Sequence, residues 1–354
     1  MKISDITCEP ISIPLKEPFV YALDTLNSLD YVIVRVSTED GYFGYGQAAI
    51  AAESTGDTKD SVAGAIAALK PGLIGRDVCD TEGIVDFMDA ALNFNAAAKA
   101  AVEAATLDIR ALVESVPMHK LLGDKKKDSV ALTFTLGLGD PNQVSKKIAS
   151  AIEDGFKRIK VKVGKDIDKE IAVLGAVRDV SAEINLSVDA NQGWGTVSNA
   201  IDKIGKLDRF NLDWIEQPID MHDIKGNESI RKATGAKIML DESVQSFNDC
   251  EHAIEHNAAD LINIKLAKTG GTTNAKKIIS LCESNGVDFI LGSMVDSVVA
   301  DAVAIHLAAC YDFKACEVCG VYLIKKDIAE GLIFEKGRVT VPDSPGLGIK
   351  MLYP

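Results

Sequence analysis

Three acidic residues close three successive short apolar runs. They are Asp189 in Ser-Val-Asp-Ala-Asn191, Glu216 in Trp-Ile-Glu-Gln-Pro218 and Asp241 in Met-Leu-Asp-Glu-Ser243. Oxygen-only ligands of this kind suit a hard divalent cation such as Mg²⁺, with positions left for water or substrate. An acidic residue at a strand end also caps a following helix, but three in successive repeats favour the metal. The run before them contains Lys160-Val161-Lys162. Strand alternation puts both lysines on one face and Ile159, Val161 and Val163 on the other. The apolar set packs outward, so both ammonium groups point inward. At a spacing of about 7 Å, two residues of strand rise, each is expected to lower the other's pKa toward that of a usable base. The run after the triplet ends in Lys265, which places a third lysine on the opposite side of the metal.

These groups together describe proton transfer at a carbon next to a carboxylate. A substrate carboxylate on Mg²⁺ has a more acidic α-proton, because the cation stabilises the enediolate charge that develops. With lysines on both faces, one removes the proton and the other returns one to the opposite face, which inverts the centre. A lysine of the Lys160/Lys162 pair on one side and Lys265 on the other are therefore the expected bases. Asp189, Glu216 and Asp241 are the expected ligands of one Mg²⁺ per subunit. The non-enzymatic rival is a metal-dependent ligand-binding protein, but binding alone needs no base on each face.

The elements that must hold these residues follow a regular beat. Short β-branched runs alternate with amphipathic stretches: Ala131–Leu136, Arg158–Val163, Asn185–Asp189, Trp214–Glu216, Lys237–Asp241, Leu261–Lys265, Asp288–Leu291 and Ala315–Val318. The polar residues near their ends are Thr135, Lys162, Asp189, Glu216, Asp241, Lys265, Ser293 and Glu317, at gaps of 27, 27, 27, 25, 24, 28 and 24. That is the length of one strand, one helix and two loops, as parallel crossovers require. Eight repeats predict a closed α/β barrel with the chemistry at the C-terminal strand ends. An open doubly wound sheet would bring a GxGxxG turn, and Leu136-Gly-Leu-Gly-Asp140 and Val163-Gly-Lys165 lack it. Residues before about 120 read as α+β. Tyr31–Val36 is strand-like, Gly41, Gly44 and Gly46 mark turns, and an Ala-rich stretch from Ser61 to Val116 breaks at Lys70-Pro71-Gly72. Its second half, Asn95–Glu114, has helical spacing, and Gly123–Asp128 is the expected inter-domain connection.

Composition limits the alternatives. The 354 residues include 52 acidic and 38 basic ones, a formal charge of −14. This opposes binding to nucleic acid or to an anionic membrane surface. No run approaches 18 apolar residues, so no membrane span is expected. The seven cysteines lack framework spacing and the first residues lack a signal-peptide core, so a cytoplasmic protein with reduced thiols is expected. A homo-oligomer is expected, with a small molecule as its other partner. His252-Ala-Ile-Glu255-His256 matches a zinc-protease pattern but shows no third ligand. Cys316-Glu-Val-Cys319 has no second pair, and Gly270-Gly-Thr-Thr273 lacks the Gly-Lys-[Ser/Thr] of a P-loop.

At the KxK strand, the DxN, EQP and DES strands, and the lysine followed by Thr269-Gly270-Gly271, the sequence resembles the enolase superfamily, muconate-lactonizing subgroup. The resemblance implies a (β/α)₇β TIM-like barrel over 126–320, an N-terminal α+β capping domain over 1–125 and a C-terminal segment, 321–354, that returns to the cap. It also implies Lys162 and Lys265 as the catalytic bases on the two faces, with Lys160 assisting at the substrate carboxylate. Asp-Ala-Asn-Gln-Gly-Trp194 and Gly292-Ser-Met294 look most like dipeptide epimerases, those acting on L-Ala-D/L-Glu above all. Thr135, Ser293, Met294, Asp24, Glu317 and Cys319 complete the expected substrate contacts. Two positions depart from that pattern. Glu317-Val318-Cys319 stands where Asp-x-Asp holds a dipeptide ammonium. Asp24 stands where an Arg meets a glutamate side chain, and it should repel an acidic side chain and favour a neutral or cationic one, unless the loop is shifted and Lys16 serves. L-Ala-L-Glu to L-Ala-D-Glu is the default reaction. N-acylamino-acid racemisation, o-succinylbenzoate synthesis and muconate cycloisomerisation are the alternatives.

Overall fold

A computed structural model describes residues 1–352. Strands β1 (Ile3–Val20), β2 (Thr25–Thr38) and β3 (Phe43–Ala49) form an antiparallel sheet in that order. Alternation along β2 buries Val32, Val34 and Val36 completely against helices α1 (Lys59–Leu73), α2 (Thr81–Ala91) and α3 (Ala96–Val113). The β1–β2 turn, Tyr21 to Asp24, is closed by the Tyr21 N–H donating to the Asp24 carbonyl at 3.1 Å.

Two local expectations need correction. Of the three glycines read as turn markers, only Gly41 turns the chain, and Gly44 and Gly46 lie within β3. A Cβ at these positions would stand 2.3 and 1.9 Å from the Ala105 and Ala101 carbonyl oxygens. The glycines and the alanine-rich face of α3 thus allow backbone to pack on backbone. Second, α1 does not break at Lys70-Pro71-Gly72 but continues to Leu73, because buried Leu69 and Leu73 hold its last turn in the core.

After α4 (His119–Leu122) and β4 (Ser129–Ala131), the β/α alternation begins. It runs β5 (Phe134–Leu136), α5 (Pro141–Glu153), β6 (Arg158–Lys162), α6 (Ile167–Val180), β7 (Asn185–Asp189), α7 (Val197–Leu207), β8 (Ile215–Glu216), α8 (Ile224–Thr234), β9 (Ile238–Leu240), α9 (Phe247–Glu255), β10 (Leu261–Ile264), α10 (Leu266–Thr269), α11 (Thr272–Asn285), β11 (Asp288–Leu291) and α12 (Val298–Ala308). The strands from β5 to β11 pair in sequence order in one 7-stranded parallel sheet. The eighth repeat is shorter than expected. Ala315–Val318 forms no ladder and makes one bridge, Leu291 to Cys316, because the chain turns into α13 (Gly320–Leu323) directly afterwards. It still closes the ring. Leu291 N–H donates to Ala315 O at 3.0 Å, Glu317 N–H to Leu291 O at 2.8 Å, and Thr133 N–H to Cys316 O at 2.8 Å. Four short strands follow, β12 (Ala329–Glu330), β13 (Phe334–Glu335), β14 (Arg338–Thr340) and β15 (Lys350–Met351); β14 pairs with β4, and Ile324 bridges Leu15 of β1. Among the described residues no helix is long and apolar enough to cross a membrane.

A buried carboxylate ties the helical layer over the sheet to the barrel. Glu103 of α3 is fully buried and accepts from the N–H groups of Thr272 (2.5 Å) and Thr273 (2.9 Å) and from both threonine hydroxyls. These are the orphan donors at the positive end of α11. Gly271 makes room: with φ +113°, a Cβ there would lie 1.7 Å from Glu103 Oε2. Glu103→Ala leaves several donors buried and unpaired, and should cost about 3 kcal/mol or more in urea unfolding.

A second junction carries a pH signature. His306 of α12 and His119 of α4 lie with ring centroids 5.5 Å apart, and His306 Nε2 sits 3.2 Å from the Leu347 carbonyl. Burial pushes the His306 pKa down to about 4, against the opposing pull of the Leu347 contact. An unfolded chain takes up this proton near pH 6.5, whereas the native state refuses it until about pH 4. The stabilisation is therefore complete above pH 6.5 and is lost as pH falls toward 4. Between pH 7.5 and 5.0 the wild type should lose about 2 kcal/mol more stability than His306→Gln, read from paired urea titrations.

Candidate active site

Parallel register sets the site. Lys162 of β6 stands beside Asp189 of β7, Asp189 beside Glu216 of β8, and Asp241 follows β9 directly. One oxygen from each of Asp189, Glu216 and Asp241 lies within 4.8 Å of the others, and the three side chains are at most 1% exposed. Each carboxylate is also oriented from behind. Asn263 Nδ2 donates to Glu216 Oε1 (2.7 Å), the Asn191 N–H to Asp189 Oδ1 (2.9 Å), and Lys268 Nζ to Asp241 Oδ1 (2.5 Å). A buried, converging, oxygen-only set with fixed orientation fits a hard divalent cation.

Lysines flank the triad on both sides. Lys162 Nζ donates to Asp189 Oδ2 (2.6 Å) and Asn191 Oδ1 (2.9 Å). Lys265, just past β10, places Nζ 2.7 Å from Asp241 Oδ2 and 3.8 Å from Met294 Sδ. Lys160 lies deeper, paired with Glu216 (3.1 Å), Asp189 (3.5 Å) and Glu317. The lowering expected at Lys160 is not what the geometry gives. Burial works against the charge of Lys160 and Lys265, but the carboxylates outweigh it. Glu216, Glu317 and Asp189 hold Lys160 well above the usual range, and Asp241 and Glu216 hold Lys265 above it. In turn, burial favours neutral Asp241, and Lys265 and Lys268 overcome it to keep that carboxyl below the ordinary range.

The expected substrate residues divide between two cavities. One of about 280 Å³ is lined by Lys162, Lys265, Ser293 and Met294, with Tyr21 and Glu53 from the sheet side. A smaller one of about 150 Å³ is lined by Thr135 and Cys319, and Phe19 borders both. Lys160, Asp24 and Glu317 line neither cavity. The Asp24 carboxylate accepts from the Thr25 N–H (2.6 Å) at the exposed hairpin tip. Lys16 donates to the Val321 and Tyr322 carbonyls (2.9 and 3.2 Å), which turns it away from the larger cavity. Glu317 Oε2 meets Lys160, while its Oε1 is buried with no hydrogen-bond partner. Four residues absent from the sequence expectations belong to the site: Asn191, Glu242, Asn263 and Lys268. The Lys265-x-x-Lys268 spacing, one helical turn, was the available signal for Lys268. Nothing marked Asn263 apart from its polarity in an apolar strand.

The mandelate racemase/muconate lactonizing enzyme N-terminal domain model matches residues 4–123, and the enolase C-terminal domain-like model matches 143–352. The chain belongs to the enolase superfamily. It is 34% identical to an L-Ala-D/L-Glu epimerase of Clostridium acetobutylicum over 99% of both chains. It is 33% identical to an N-succinyl-L-Arg/Lys racemase of Bacillus cereus, over 99% of this chain and 96% of the relative. The structure of a dipeptide epimerase of Enterococcus faecalis, complexed with Mg and L-Leu-L-Tyr, superposes with TM-score 0.94 at 32% identity, covering 99% of this chain and 100% of that one. With relatives of this kind the superfamily member is an isomerase, an epimerase or racemase of amino acid derivatives. Asn263→Ala should raise the Kd for Mg²⁺ about tenfold in isothermal calorimetry, since it frees Glu216 from its buried donor.

Proposed function

We propose that the enzyme is a Mg²⁺-dependent dipeptide epimerase that inverts the C-terminal residue by 1,1-proton transfer between Lys162 and Lys265. The observation that carries this reading is the pair of ammonium groups on opposite flanks of the triad, both lining one cavity. Asp189, Glu216 and Asp241 would hold the cation, which when bound neutralises negative charge developing on the substrate carboxylate. Against burial, Asp241 and Glu216 hold the Lys265 ammonium above the usual range, so their engagement as ligands would relieve that base. Lys162 takes or gives the α-proton on one face and Lys265 does so on the other. Asn191, bonded to Lys162 and to Glu242, fixes the amine's direction. Ser293 and Met294 border the reacting centre.

L-Ala-L-Glu is the reference substrate that the resemblance supplies. A second reading, racemisation of N-acylamino acids, draws support from Glu317. Lys160 occupies one of its oxygens, which leaves only Oε1 for a dipeptide ammonium. The test is α-deuterium incorporation from D₂O with Mg²⁺, across dipeptides and N-acylamino acids. No incorporation in any dipeptide would sink the dipeptide reading, and incorporation in N-acyl compounds alone would install the second. Lys162→Ala and Lys265→Ala should each lower two-way epimerisation by about 10³-fold or more, and retained epimerisation in both would refute the two-base mechanism.

A further inference from the structure

The larger cavity changes character from its floor to its mouth. At the floor stand Lys162, Lys265 and Lys268, at most 12% exposed. All three are paired with triad carboxylates, Lys162 with Asp189 and the others with Asp241. Above them the walls are apolar: Phe19, Tyr21, Leu26 and Leu29 of the β1–β2 hairpin, Ile50 beyond β3, and Met294 beyond β11. At the mouth the polarity returns with one sign. Glu53 is exposed and Asp30 is 40% exposed, and both line the cavity. The lining contains no arginine, and its only lysines are the three at the floor. Lys59 reaches Asp30 from outside at 3.1 Å. Glu53 accepts from the Tyr21 hydroxyl at 2.5 Å, and a carboxylate has further lone-pair positions to offer.

We infer that the residue whose α-carbon reacts carries a long cationic side chain, lysyl or arginyl, rather than a glutamyl one. The inference rests on the epimerase reading and narrows its substrate class. Methylene groups of such a side chain pack along the hairpin's apolar wall, and its charged end reaches the carboxylates at the mouth, where it stays hydrated. A glutamyl carboxylate in the same place meets Glu53 and finds no free counter-charge, since Lys59 is already paired with Asp30 and Lys16 is turned onto the Val321 and Tyr322 carbonyls.

The experiment compares α-proton exchange by ¹H NMR in D₂O with Mg²⁺ for two series. One is L-Ala-L-Lys, L-Ala-L-Leu and L-Ala-L-Glu, and the other is their N-succinyl-amino-acid counterparts. In whichever series turns over, kcat/KM for the lysyl compound should exceed that for the glutamyl and leucyl compounds by at least about tenfold. Equal or better exchange of the glutamyl or leucyl compound overturns the inference and leaves the epimerase reading standing. Exchange in neither series overturns both. Glu53→Gln should cut the lysyl-to-leucyl ratio by about tenfold, chiefly through KM, and an unchanged ratio overturns the part given to Glu53. Glu53→Lys should raise glutamyl turnover relative to lysyl, a gain that misfolding cannot produce.

Discussion

Three carboxylates brought within 4.8 Å of one another and sealed from water are the constraint around which the structure is built. At that separation each pair of like charges costs about 3 kcal/mol even in a well-screened interior. Four lysines answer the repulsion, Lys160 from below, Lys162 and Lys265 from the flanks, and Lys268 from behind. Register on parallel strands is what lets seven charged groups meet without crowding, because each strand contributes its own end to a common rim. The proposed bases are thus members of the same charge set that makes the metal site tolerable. Electrostatic balance and proton transfer are one arrangement viewed at two stages.

The barrel was legible because its signals are local and repeated. A strand of a few β-branched residues followed by a charged one, at a steady interval, identifies both the element and the rim position of its last side chain. That is why Asp189, Glu216, Asp241, Lys162 and Lys265 could be placed from spacing. What failed depends on partners distant in sequence. Gly44 and Gly46 look like turn residues until α3 is laid across them. Pro71 looks like a helix break until the buried leucines on either side are counted. Asn191, Asn263 and Lys268 take their meaning from carboxylates on neighbouring strands, which no single run displays. Asp24 shows the converse: its identity was informative, but its side chain is spent on its own turn.

The proposed reactive and selecting groups come from different stretches of the chain. The lysines and carboxylates of the rim lie between residues 160 and 268, whereas most of the apolar wall and both mouth carboxylates lie between 19 and 53. Side-chain preference can therefore be altered on the sheet without disturbing the charge balance of the rim. The smaller cavity beside Thr135 and Cys319 adds a third surface, reached past Phe19.

Glu103 has a consequence for the cavity wall. Its hydrogen bonds at the head of α11 lie wholly inside the protein and anchor the helices that back the sheet. The β1–β2 ribbon that walls the larger cavity belongs to this layer, so the wall and the barrel rim are joined through a buried carboxyl rather than through the cavity itself.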